Sequence, residues 1–203
     1  MKRLLLCTLF LVLGSSPVRA ADERDPGTII TQAISRILEA LDSRRAEFTQ
    51  NPELLNAVVK EHMLPLIDEV YSGRLVLGRA GRSVSTEQLH AFSAALSNVL
   101  VNRYAKSLIG FSSENQIEVL PLKGKISDKM TRVRTKIKLT RGGFVPVDYA
   151  FHKTDEGWKA FDVTVEGISY VLTFRNQIAP RVRAEGIDKV TADIIAGNVS
   201  LDE

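Results

Sequence analysis

The sequence predicts an α+β domain in which helices pack on one face of a four-stranded antiparallel sheet. Three observations predict it. Apolar residues recur at three- and four-residue spacing from about residue 26 to about 108, the period changes to two between residues 117 and 166, and helical spacing returns from Ile168 onward.

The first twenty residues stand apart. Lys2 and Arg3 precede an apolar run from Leu4 to Leu13, and small residues lead to Val18-Arg19-Ala20. This is the pattern of a secretory signal peptide cut after about Ala20, leaving residues 21–203 as a single domain. The apolar run is too short for a membrane anchor, which needs about 20 residues. No cysteine stands at the cleavage site to carry a lipid. The single cysteine, Cys7, leaves with the leader, so an ordinary apolar core must hold the mature chain without a disulfide. The leader also takes Lys2, Arg3 and Arg19, so the mature chain is charge-balanced and the pI near 9.0 belongs largely to the precursor. Charge is nonetheless segregated, with 13 basic and 4 acidic residues between positions 71 and 141.

The elements follow in order. Residues 26–48 carry Ile29, Ile30, Ala33, Ile34, Ile37, Leu38 and Leu41 at helical spacing. Asn51-Pro52-Glu53 supplies a cap, a proline at the first helical position and an acid in the first turn of a second helix that ends before Pro65. A shorter helix over 66–79 is closed by Gly78 and Gly81. Ser85-Thr86-Glu87-Gln88 is a capping box opening a long helix to about Leu108. Strands are expected at 117–122, 129–140, 144–153 and 158–166, separated by short polar or glycine-rich turns. On the second, Arg132, Arg134, Lys136 and Lys138 face water while Val133, Thr135, Ile137 and Leu139 face inward. Val145, Val147, Tyr149 and Phe151 share a face on the third strand, and Phe161, Val163 and Val165 on the fourth. A helix from Ile168 to Ile178 stops at Pro180, and a last one spans about Asp188 to Ala196.

Reactive constellations are missing. His62, His90 and His152 lie on different elements without metal-ligand spacing, and no nucleophile elbow, P-loop or dinucleotide fingerprint occurs. Asp162 and Glu166 have no accompanying nucleophile, which points away from an enzyme and toward a structural role. The basic strand lacks the exposed aromatics that stack on single-stranded bases, so no nucleic acid partner is expected. Neither a metal nor another cofactor is expected. Arg175 falls on the apolar stripe of its helix, and a buried charge needs a partner. Asp162 and Glu166, on the preceding strand, are the expected partners in a structural ion pair.

The stretch "GWKAFDVTVEGISYVLTFRNQI" resembles the C-terminal signature of the MlaC family, also described as a toluene-tolerance family. Trp158, Lys159, Asp162, Val163, Val165, Glu166, Gly167, Ile168 and Ser169 match its pattern, while "FRNQI" replaces the usual "YRxQF". Upstream, "PVDYAF" at 146–151 resembles the family's central strand. Asp68, Leu77-Gly78, Thr86-Glu87-Gln88, Phe92 and Tyr104 resemble its helical core in the expected order, so the likeness covers roughly residues 28 to 197.

The resemblance implies a periplasmic phospholipid carrier. Such a carrier works between an outer-membrane lipoprotein complex and an inner-membrane ABC transporter with an MCE-domain component, and maintains outer-membrane lipid asymmetry. A polycyclic lipid such as a hopanoid is an alternative cargo, and a cargo-free adaptor of membrane complexes an alternative role. A diacyl lipid has about 30 methylene groups, each costing roughly 0.8 kcal/mol in water, so the carrier needs a dry slot between its helical and sheet layers. Expected lining residues are Val145, Val147, Tyr149, Phe151, Phe161 and Val163 from the sheet, with Leu75, Tyr104, Tyr170, Val171 and Phe174 from the helices. Arg74, Arg103 or the basic strand would be the groups to meet a phosphate.

Overall fold

The computed structural model describes residues 24–111, 117–121, 127, 129–139 and 142–199; the expected leader at 1–20 and the side chain of Tyr104 lie outside the description. Two helices come first, α1 (Pro26–Gln50) and α2 (Pro52–Met63). Each opens as its sequence dictates. The Asp25 carboxylate accepts from the Thr28 N–H at 3.1 Å, and the Asn51 side chain from the Glu53 N–H at 3.3 Å. Both helices place proline at their start, where no N–H is needed. Arg44 has non-helical angles and kinks α1.

After a 3-10 turn at Leu64–Leu66 come α3 (Glu69–Leu77) and α4 (Thr86–Tyr104). The expected capping box is formed, with the Gln88 N–H donating to Ser85 Oγ at 3.2 Å and the Ser85 N–H to Gln88 Oε1 at 3.0 Å.

The sheet is a meander of five strands, one more than expected: β1 (Ile117–Val119), β2 (Met130–Lys138), β3 (Phe144–Thr154), β4 (Gly157–Val165) and β5 (Ile168–Ser169). All neighbouring pairs are antiparallel. The extra strand resolves the junction at Glu166-Gly167. The chain folds back as a tight hairpin, pairing Thr164 with Ser169 and Val165 with Ile168. Both turn residues have positive φ, 51° and 89°, as a two-residue hairpin loop requires. Only then does α5 (Tyr170–Glu185) begin, capped by Ser169 Oγ.

Pro180 does not stop α5, contrary to expectation. Asn176 and Pro180 are both exposed, so solvent can serve the carbonyl that a proline leaves without a donor. Gly186, at φ 83°, ends the helix instead and leads into α6 (Ile187–Ile195).

The register contains one irregularity that re-aims a side chain. Ala150 pairs with Asp162 but Phe151 pairs with Ala160, which leaves Phe161 as the extra residue of a β-bulge. Phe161 therefore does not share a face with Val163 and Val165. It packs edge-on against Tyr71 and His152, at 5.3 and 5.5 Å between ring centres.

The helices bury their apolar stripes in two places. The start of α1, through Ile29 and Ile30, covers Val133, Val147, Tyr149, Phe151 and Ala160 on one sheet face. Helices α3 to α6 form their own core around Val76, Leu77, Phe92, Leu96, Phe174, Ile178, Val190 and Ile194. That core abuts the outer edge of β4. The Asp68 N–H donates to the Ala160 carbonyl at 2.8 Å, and Ser72 Oγ–H to that of Phe161 at 3.0 Å.

Charged contacts tie α5 to α6. Arg181 bonds both Glu185 and Asp193, at 3.0 and 2.7 Å, and Lys189 bonds Asp193 as well. The Lys189 hydrogen bond, opposed by burial and reinforced by Arg181, holds the Asp193 carboxyl below its ordinary value of 3.8. A carboxyl depressed in the folded state stabilises fully above its unfolded pKa, and that contribution is lost as pH falls through the folded value.

Two outcomes follow for stability. Asp193→Asn should lower the urea midpoint at neutral pH, with the difference from the native chain shrinking below the unfolded value of 3.8. Glu166→Asn, which suits positive φ better, should raise stability by about 0.5–1 kcal/mol, whereas Gly167→Ala should lower it by about 1 kcal/mol or more in the same titration.

Candidate functional site: two apolar cavities

Two cavities lined almost wholly by apolar side chains lie where helices meet the sheet. The first, about 130 Å³, sits between α3, α4, α5 and the outer edge of β4. Ile67, Val76, Leu96, Leu100 and Val101 line it together with Phe161, Val163, Tyr170, Val171 and Phe174. The second, about 200 Å³, sits between the α1–α2 pair, the segment Leu108–Phe111, and the sheet residues Ile117, Ile137 and Tyr149. Ile34, Ile37, Leu38, Leu41, Val59 and Met63 complete it.

The cavities share no lining residue, yet they are close neighbours. Met63 lines one and Leu64 the other, and Tyr149 of the second pairs across the sheet with Val163 of the first. The partition is thus the 3-10 turn after α2 and the width of one strand pair.

A few polar groups face this apolar space. Ser93 Oγ is buried on the first cavity's wall with no hydrogen-bond partner among the described residues. Gly73 permits this close approach of α3 to α4, since a Cβ there would lie 2.1 Å from Ser93 Oγ. Glu69 borders the same cavity. Burial raises its carboxyl pKa, and a hydrogen bond with Ser97 moderates the rise. In the second cavity, burial pushes the Tyr149 phenol up, and its hydroxyl makes no hydrogen bond among the described residues. Leaving the buried Ser93 hydroxyl unpaired is unfavourable, so this position suits a ligand that brings its own polar atoms.

The expected lining residues divide. Phe161, Val163, Tyr170, Val171 and Phe174 come together on the first cavity, and Tyr149 lines the second. Val147 and Phe151 instead fill the core under the start of α1, with Val145 packed against it. Leu75 turns to the opposite side of α3, and the Tyr104 side chain lies outside the described residues. The α1, α2 and α4 contributors were not singled out from the sequence. Their helical spacing marks a covered face, and the small residues Ser93 and Ser97 on one face of α4 are the only hint of a hollow.

The expected ion pair of Arg175 with Asp162 or Glu166 is not formed. Asp162 accepts from Ser169 Oγ at 2.6 Å and from the Val171 N–H at 3.0 Å, so it caps α5. Glu166 is exposed in its turn. Arg175 Nε–H donates to the Leu75 carbonyl at 2.5 Å, which satisfies the end of α3. Arg74 and Arg103 are exposed, and neither lines either of the two apolar cavities.

His152 Nε2 lies 3.0 Å from Asp68 Oδ2 and stacks on Tyr71 at 4.4 Å. Asp68 also caps α3 through the Tyr71 N–H, and Ser72 Oγ is bonded to two carbonyls. The group joins α3 to the sheet and offers no free nucleophile. Among the described residues no cluster of three or more His, Cys, Asp or Glu residues could hold a metal, and no helix is long and apolar enough to cross a membrane.

Comparison with known proteins gives a consistent family. The model of the MlaC protein family matches residues 31–196. The intermembrane phospholipid transport system binding protein MlaC of Haemophilus influenzae is 26% identical over 187 residues, covering 89% of this chain and 84% of that protein. The toluene tolerance protein ttg2D of Pseudomonas putida is 24% identical over 195 residues, covering 95% and 89%. A phospholipid-binding protein from Ralstonia solanacearum, solved in complex with a phospholipid, shares the fold with a TM-score of 0.74 at 20% identity, over 84% of this chain and 99% of that one. With the family's model matching from residue 31 to residue 196, the chain belongs to the MlaC family.

Proposed function

We propose that the protein is a periplasmic phospholipid carrier, exported by its leader, that hides acyl chains in the two cavities and passes the lipid between outer-membrane and inner-membrane transport components. The observation that carries this reading is the pair of apolar hollows at the helix–sheet junctions, separated only by Met63–Leu64 and the Tyr149–Val163 strand pair. The phospholipid-related names of its relatives support it. Burying about 30 methylene groups is worth over 20 kcal/mol, enough to hold a lipid away from water.

The hollows of about 130 and 200 Å³ are small beside the 300–1,000 Å³ usual for ligand pockets. Loading on this reading calls for the α1–α2 pair to part from the α3–α6 core, with the turn Leu64–Leu66, just ahead of the Asp68 bond to β4, as the hinge. Parting merges the two hollows into one slot. Ser93 then gains a partner from the lipid's ester or headgroup oxygens.

Purified protein, extracted and examined by mass spectrometry, should yield a phospholipid. A hopanoid in its place would change the cargo, and protein that stays empty after incubation with phospholipid vesicles would overturn the carrier reading. Ser97→Trp, which fills the first cavity, should reduce retained lipid severalfold while the circular dichroism spectrum is unchanged. Ser93→Ala should raise the stability of the lipid-free protein by about 1 kcal/mol, because it removes a buried hydroxyl that has no partner.

A further inference from the structure

We infer that a cationic groove between α3 and α5 is a docking site for a carboxylate-bearing segment of a partner protein. Arg74, Arg79, Arg82, Arg175 and Arg183 line one groove of about 540 Å³, and neither a lysine nor a carboxylate lines it. It continues past Arg74 and Arg82 toward the start of α4, and past Arg79 and Arg183 toward α6. The single acid on these extensions, Asp188, already accepts two hydrogen bonds from Gln88. Among the described residues, none of the five arginines makes an ion pair with a carboxylate.

Five like charges facing one concavity repel each other, and no carboxylate among the described residues pairs with them. One is held in place, because Arg175 Nε–H donates to the Leu75 carbonyl while its side chain passes 3.6 Å from where a Cβ on Gly78 would sit. The all-arginine composition selects the occupant's chemistry, since the planar guanidinium matches a carboxylate or phosphate with two parallel hydrogen bonds.

The geometry decides between lipid and protein. Helix α3 turns Gly73 and Val76 to the first apolar cavity and Arg74 and Leu75 to the groove. Helix α5 turns Val171 and Phe174 to the cavity and Arg175 to the groove. No residue is common to both linings, so the arginines form a surface of their own, apart from the walls of the apolar cavity. A flat membrane surface fits a concavity poorly, whereas a projecting acidic loop or helix fills it. Leu172, 54% exposed, continues the outer face of α5 beyond the arginines and supplies an apolar contact beside the charges.

The mature protein is titrated with a fluorescein-labelled deca-glutamate peptide, followed by anisotropy, at two salt concentrations. Arg79→Glu/Arg82→Glu/Arg183→Glu should weaken binding more than tenfold. The equally charged control Lys129→Glu/Arg132→Glu/Lys136→Glu, on the basic strand, should change it less than threefold. Equal losses in both variants, or none in the groove variant, would overturn the proposal. So would groove-dependent binding to phosphatidylglycerol vesicles that the peptide does not displace. The lipid content of the same preparations should match the native protein's, which separates a failed docking site from a failed carrier.

Discussion

The outer edge of β4 is the constraint on which the rest depends. β5 covers only Thr164 and Val165, so the backbone from Ala160 to Asp162 would otherwise present unpaired groups to solvent. Three different devices occupy it. The Asp68 N–H takes the Ala160 carbonyl, Ser72 Oγ takes that of Phe161, and the Asp162 carboxylate caps the start of α5. These contacts anchor α3 and α5 to the strand by their N-terminal ends. Helices held this way lie along an edge rather than flat on a face, and side chains from α3, α4 and α5 meet β4 around a hollow. The first cavity is the geometric result of closing a sheet edge with helix ends.

Much of this architecture is readable from the sequence, because each element announces itself with local chemistry. Asp25-Pro26, Asn51-Pro52 and Ser85-x-x-Gln88 start helices for reasons internal to a few residues. What escapes is whatever depends on pairing. The alternation Phe161, Val163, Val165 looks uniform, and only the register shift opposite Ala150 and Phe151 reveals that Phe161 points the other way. The hairpin at Glu166-Gly167 is hidden similarly, since a glutamate at positive φ contradicts its own preference.

Function is less legible than fold for a simple reason. Apolar periodicity separates covered faces from wet ones, but it cannot separate filled space from hollow space. Phe151 and Tyr149 follow the same alternation and share one core, yet only Tyr149 also borders a cavity. The arginine groove is equally invisible along the chain. Arg74, Arg79 and Arg82 fall in the basic middle third, but Arg175 and Arg183 come from a more acidic one, and only the packing of α3 on α5 joins them. That helix pair has two distinct faces, one apolar and one charged, and this accounts for a sequence that mixes both kinds of residue on short elements.

The partition between the two cavities has a consequence for the behaviour of the empty protein. With its hollows separate, its exposed large apolar side chains among the described residues are scattered, such as Phe144, Ile168 and Ile195. A permanently open slot would instead be a sticky surface, prone to self-association and to picking up any stray amphiphile. Closure makes vacancy a quiet state. For a carrier that opens as proposed, it would also set a toll on uptake, best crossed where something else holds the halves apart. On the proposed carrier reading, transfer would then be timed by the encounter with a membrane complex rather than by diffusion.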